Sequence, residues 1–253
     1  MKSTRLGITS KMKITSTTGK NGRLGNQIIR NLAVSLVAKK YNLKVDYFNK
    51  ELIEKLGIDL FSGENAHNKM HDLNDDNYFT IYNGDSLNCN LNPNEAFFQS
   101  KDITNFLYNY LHTDTVKSNI IEKNPFNYEN NNLFIHIRLT DVANFNPGIN
   151  YYLNTINNIN YDNLYISTDD KNHSVIQSLL KLYPNATLID YDEITTIQFA
   201  STCKHIILSH GSFSALIGYL SFFSTVYYPE YELDKIWYGD MFSINSWIKC
   251  SVK

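Results

Sequence analysis

The octet FIHIRLTD, residues 134–141, sets a histidine, an arginine and an aspartate along and just beyond an apolar run. Phe134, Ile135 and Ile137 suit a strand buried in a sheet, whereas Arg138 is of a type rarely buried without a partner. Burying its charge unpaired is very costly, so something anionic must face it. Either Asp141 supplies that anion in a strand-end ion pair, or Arg138 grips an anionic ligand. His136 is either a satisfied core histidine or a titrating group of a site.

Three further stretches carry polar groups at what read as strand ends. STDD, residues 167–170, puts Asp169 and Asp170 after an apolar run; an N-cap with turn residues explains it equally well. SHGSFS, residues 209–214, leads from a strand into a helix opening near Ser212, Phe213 and Ser214. A helix start offers free N–H groups and partial positive charge, which suits a phosphate, and an arginine at the same edge adds a bidentate grip. The simplest ligand for Arg138 is then a diphosphate. GRLGNQ, residues 22–27, is a tight βα turn holding Arg23, Gly25 and Asn26, without P-loop spacing. His67 and His71 in HNKMH stand at metal-pair spacing, but the stretch reads as loop, so no metal is expected.

The elements that must position these groups follow from periodicity. Apolar residues at 28, 29, 32, 33, 36 and 37 predict an amphipathic helix, flanked by strands over 11–18 and 43–49. A strand is expected at 78–82 and one or two helices over 103–124. After a break at 124–132, strands are predicted at 133–139, 163–170, 186–190, 205–211 and 225–229. Helices are predicted at 149–159, 173–183, 195–203 and 212–223. Short apolar strands alternating with helices mean a parallel, doubly wound sheet with ligands at the strands' carboxyl ends. The expected organisation is a domain over 1–130 and a second over 131–253.

Composition narrows the function. The chain has 253 residues, 43 % of them hydrophobic, with a net charge of −2. That balance gives no global pull toward nucleic acid or an anionic membrane, so an anion needs a local site. Three scattered cysteines signal neither a zinc site nor a disulfide framework. The first eighteen residues lack the apolar core of a signal peptide, and no 18-residue apolar run is present. A soluble protein is expected.

The ordered set GRLGNQ, HIRLTD, STDD and SHGSFS, spanning roughly residues 22–228, resembles the alpha-1,2-fucosyltransferases of glycosyltransferase family 11. It is more distantly similar to protein O-fucosyltransferases and alpha-1,6-fucosyltransferases. The resemblance implies a GT-B-like α/β fold, two Rossmann-like halves with mostly parallel sheets facing a cleft. The first half would be the acceptor side and the second the nucleotide-sugar side. It implies an inverting, metal-independent transfer of fucose from GDP-fucose to a hydroxyl of an oligosaccharide acceptor, such as the 2-OH of galactose, with no cofactor beyond the donor. Arg138 would hold the diphosphate, with His136 and Asp141 shaping the pocket and serving as candidates for a general base. Arg23, Gly25 and Asn26 would reach across from the first half. Asp169 or Asp170 would lie by the nucleotide, and Ser212, Phe213 and Ser214 would meet the phosphate or guanosine. Acceptor loops would lie in residues 51–100. Without the anchor of animal relatives, a cytoplasmic enzyme of bacterial or viral type is expected. One departure stands out: where the family carries a second arginine, this chain has Leu139. That opens the alternatives of another donor, such as GDP-mannose or dTDP-rhamnose, or of a weaker enzyme; a nucleotide-sugar-binding protein without catalysis, or an unrelated Rossmann-like binding protein, is a separate alternative.

Overall fold

The computed structural model describes residues 15–230 and 239–252. The second half of the chain builds one six-stranded sheet. Its strands are β5 (Leu133–Ile137), β6 (Leu164–Thr168), β7 (Thr187–Leu188), β8 (His205–Ile207), β9 (Thr225–Pro229) and β10 (Ile248–Cys250). The order across the sheet is β10-β9-β8-β5-β6-β7, with every pairing parallel. Counted from β5 along the chain, that order reads 3-2-1-4-5-6, compatible with a Rossmann-like fold. The chain reverses its direction of travel across the sheet between β5 and β8, which is the switch point of such a sheet.

The alternation along β5 explains the two faces. Leu133, Ile135 and Ile137 pack with α6 (Ile149–Ile156) and α7 (Ser174–Leu182) through Tyr151, Tyr152, Ile156, Ile176 and Leu179. Phe134 faces the opposite core, built with α8 (Glu193–Thr202) and α9 (Ser212–Tyr219). Helices thus cover both faces, which is why the central strand β5 is buried along its whole length. Strand and helix positions from β5 to β9 follow the sequence pattern, with shorter strands at 187–188 and 205–207 than expected, whereas β10 was not expected.

The first half is built differently. Of the strand expected over 11–18, residues 11–14 lie outside the described residues, and the remainder is β1 (Ser16–Thr17). It pairs in parallel with β2 (Val45–Asp46). β3 (Met70–Asp72) pairs in parallel with β4 (Asn90–Asn92). Ser16 Oγ accepts the Leu91 N–H at 2.8 Å and ties the two ladders together. Around them stand α1 (Leu24–Tyr41), α2 (Lys50–Glu54), α3 (Tyr78–Asn83), α4 (Lys101–Leu111) and α5 (Asp114–Lys123). The strand expected at 78–82 is therefore helix. Tyr78 and Tyr82, one helical turn apart, stack at 6.1 Å, and Tyr78, Phe79 and Tyr82 all meet Phe106 of α4. That aromatic packing overrides the strand propensity of the residues.

Helix α1 is buried along most of its length, from Leu24 to Ala38, rather than on one stripe. It lies between α9 on one side and α3 and α4 on the other. One hydrophobic core consequently crosses residue 130: Ile28, Leu32, Phe98 and Leu107 share it with Ile197, Leu208, Leu216 and Trp247. Helix α9 is apolar on all sides for the same reason, being held between the sheet and α1.

Candidate functional site

Arg138 leaves the carboxyl end of β5, and Ser209–Ser212 leave the carboxyl end of its neighbour β8. From Arg138 toward the ends of β6 and β7, with Phe213 of α9 on the β8 side, lies a cleft of about 350 Å3. Its lining includes Arg23, His136, Arg138, Asp169, Tyr191 and Phe213. The site therefore opens at the switch point, where sheets of this order bind ligands.

Arg23, Arg138 and Asp169 form its floor, and Asp141 joins them from beyond the lining. Arg138 NH2 donates to Asp141 Oδ1 at 2.7 Å. Arg138 Nε lies 3.1 Å from Asp169 Oδ2, close enough for an ion pair, but its buried N–H is out of line and makes no hydrogen bond. Arg23 comes from the turn before α1 and reaches Asp141 at 3.3 Å and Asp169 at 3.4 Å. Arg138 is thus tied to carboxylates, yet it lines the cleft. The two aspartates are held differently. Asp169, with its side chain 23 % exposed, accepts the Leu139 and Thr140 N–H groups on Oδ1 and the Thr140 hydroxyl on Oδ2. Asp141 is 53 % exposed and is met only by side chains: Arg138, Arg23 and Thr140. For both carboxyls burial pushes the pKa up, but the combined hydrogen bonds and arginine charges outweigh it and hold them below the usual range.

His136 sits behind this floor. Its Nδ1 is 2.9 Å from Ser214 Oγ, which also accepts the Ser209 N–H. Phe213 stands 5.2 Å from the imidazole, ring to ring. Burial drives the His136 pKa down to about 3; Asp169 pulls it up, while Arg138 and His210 lower it further. His210, beside Ser209, is lowered to about 4, again chiefly by burial. Both imidazoles are neutral at physiological pH. Neither His136, a weak base here, nor Asp141, shared by two arginines, has the raised proton affinity of a general base.

The remaining expected residues have distinct places. Gly25 is buried where α1 meets the start of α9; a Cβ there would fall 2.6 Å from the Phe213 nitrogen. Its role is to let two helix ends touch. Asn26 accepts from Gln99 Nε2 at 2.8 Å and lies beside Gly22, outside the cleft lining. Asp170 accepts the Asn172 N–H in a turn, so the carboxylate facing the cleft is Asp169. Ser212 opens α9, Phe213 lines the cleft, and Ser214 is fully buried under His136. Leu139 is a core residue, 3 % exposed, packed with β5, α6 and α7.

Sequence reasoning passed over Tyr191, Asp192, Glu193 and Thr196, which line the cleft from the start of α8. Their signal was present: YDE follows the third strand of the sheet as STDD follows the second. Asp192 caps α8 by accepting the Thr195 N–H at 2.7 Å. Among the described residues no group of three or more His, Cys, Asp or Glu side chains is placed to hold a metal ion. No helix among them is long and apolar enough to cross a membrane. No protein-family model matches the chain, and no curated protein matches it significantly.

Proposed function

We propose that the cleft binds a nucleoside diphosphate sugar and that the protein is a glycosyltransferase of the fucosyltransferase type, with GDP-fucose as donor and a glycan hydroxyl as acceptor. The observation that carries this reading is the pair of guanidinium groups, Arg138 and Arg23, lining a cleft at the switch point of the parallel sheet beside the start of α9. In the two-half reading, Arg23 brings the first half's contribution to the second half's site.

The cleft has chemistry for each part of such a ligand. The diphosphate would lie against Arg138 and Arg23, displacing Asp141, the carboxylate that no backbone group holds. Asp169, anchored by two N–H groups, would stay and keep the guanidiniums aimed. The β7 end, two strands from β5 and so roughly 10 Å away, carries Tyr191, Asp192 and Glu193. An exposed ring and two carboxylates suit a base with N–H donors on its edge, as guanine has. Departure of GDP builds charge on the leaving diphosphate, and preorganised guanidiniums are the groups that would stabilise it. Arg23 supplies a second guanidinium beside Arg138 where Leu139 in the core cannot.

Leu139 also supports a second reading: the same transfer from another nucleotide sugar. Thermal shift with GDP-fucose, GDP-mannose and dTDP-rhamnose, followed by donor hydrolysis and transfer assays, separates the two. GDP-fucose at 100 times its dissociation constant should stabilise the fold by about 2.7 kcal/mol. Stabilisation by a nucleotide with no transfer to any sugar acceptor would instead make the protein a binding module. No stabilisation by any of the three would overturn the nucleotide-sugar reading.

A further inference from the structure

Arg30, in the second turn of α1, is completely buried. No carboxylate pairs with it among the described residues. Its guanidinium instead donates to three backbone carbonyls: Nε to Ala96 at 2.9 Å, NH1 to Asn21 at 2.8 Å and NH1 to Thr18 at 3.5 Å. NH2 is buried with no hydrogen bond, and the group stacks on Phe97 at 5.7 Å. Burial works against its charge more than the attraction of Glu95 helps it, and an apolar side chain of equal volume would fill the space without desolvating a cation. The arginine must therefore do something that packing does not.

What it does is visible in the chain it binds. Thr18 and Asn21 belong to the turn between β1 and α1, and Ala96 to the loop before α4. The fork clamps the two segments together, and no other side chain offers donors in a rigid planar fork. Asn21 Nδ2 adds a bond to Asn94 O at 2.7 Å. Gln27 holds the same turn from the same helix face, donating to Gly22 O at 2.7 Å. The loop that Arg30 grips is itself fixed. Phe98 is in the left-handed region at φ 55°, and Asp75 accepts the N–H groups of Phe98, Gln99 and Ser100. Arg23 follows this pinned turn directly, and its guanidinium joins that of Arg138 on Asp141 and Asp169.

We infer that Arg30 is the positioning residue of the site: by clamping the 18–22 turn to the 94–98 loop, it aims Arg23 at the anion-binding cleft. The inference rests on the nucleotide reading above for its affinity readout, but hydrogen exchange tests the clamp without a ligand. The experiment is a double-mutant cycle on GDP binding, measured by calorimetry, with Arg23→Ala, Arg30→Met and the pair. Arg30→Met should weaken GDP binding roughly tenfold, as should Arg23→Ala, the scale of one charged hydrogen-bond donor. The double variant should be no weaker than Arg23→Ala alone, because Arg30 acts only through Arg23. Full additivity would mean that Arg30 merely supports the fold and would overturn the inference, as would unchanged binding in Arg30→Met when Arg23→Ala is impaired. Should Arg30→Met fail to fold, Arg30→Lys keeps a cation but cannot span both segments, and the same cycle applies. If wild-type protein binds no GDP, the nucleotide reading falls, and exchange decides the clamp. Faster amide exchange confined to residues 19–23 in the Arg30 variant upholds it, and unchanged exchange there overturns it.

Discussion

Arg138 illustrates how one side chain can satisfy two explanations at once. It makes the ion pair with Asp141 that strand-end spacing suggests, and it lines a cleft. The pair with a half-exposed Asp141 is worth little to stability. Arg138→Ala should therefore leave the melting temperature within a few degrees of wild type while lowering transfer about 10²–10³-fold. Arg138→Lys should lose most of the activity as well, since an ammonium cannot make the fork; transfer at wild-type rates in either variant would remove Arg138 from the site. His136 makes a prediction about pH. Its folded pKa of about 3 lies below the ordinary 6.5, so between these values the unfolded chain binds a proton that the folded one does not. Its contribution to stability is fully present above pH 6.5 and is lost as pH falls toward 3, at up to about 1.4 kcal/mol per pH unit. His210, lowered to about 4, acts in the same direction. In urea unfolding between pH 6.5 and about 4.5, His136→Asn should show a shallower decline than wild type. Identical slopes would mean that the imidazole is not held neutral.

At the scale of elements, the contact between the starts of α1 and α9 joins the turn that carries Arg23 to the helix that carries Phe213. Gly25 permits it: an added Cβ would meet the backbone of Ser212 and Phe213 at 2.6–2.9 Å, and backbone gives way only at a cost. Gly25→Ala should destabilise by about 1–3 kcal/mol, which for a chain of this size is a fall of several degrees in melting temperature. An unchanged melting curve would contradict so close an approach. The sequence made most of the second half's elements legible because β5 to β9 are short runs between turn residues and helices such as α6 and α7 bury a stripe, while the exposed edge strand β10 gave no such signal. In the first half the strands expected over 11–18 and 43–49 are present as β1 and β2, two residues each, whereas β3 and β4 were hidden, being three residues long and tied in by side chains such as Ser16 as much as by ladders. Helix α3 was misread because Tyr and Phe favour strands locally, while their packing on Phe106 is set by distant chain. Of the site, Arg138 and Asp169 were marked by charge at strand ends, and Arg23 only by the family resemblance. Asn26 and Gly25 were legible as important positions, but not as groups facing a neighbouring loop and helix. The contributions of Tyr191 and Glu193 needed the strand order to be seen.

The molecule as a whole does not divide its apolar interior at the break near residue 130. One core runs from α1 and α4 through α9 to the sheet and Trp247. Calorimetric unfolding should therefore give one cooperative transition, and two well-separated transitions would contradict the shared core. The net charge of −2 leaves anion binding to local groups, and the cleft sets Arg23 and Arg138 against Asp169, Asp192 and Glu193, with Asp141 paired to both arginines from beyond the lining. Binding a diphosphate then depends on displacing Asp141 from the guanidiniums. Calorimetric titration of GDP and GMP into wild-type protein and Arg138→Ala measures that step most directly. Wild type should bind GDP more tightly than GMP, and Arg138→Ala should lose roughly 10- to 100-fold in GDP affinity and most of the preference for the second phosphate. Equal affinity for the two nucleotides in wild type, or GDP binding untouched by the loss of Arg138, would contradict a diphosphate site at this cleft.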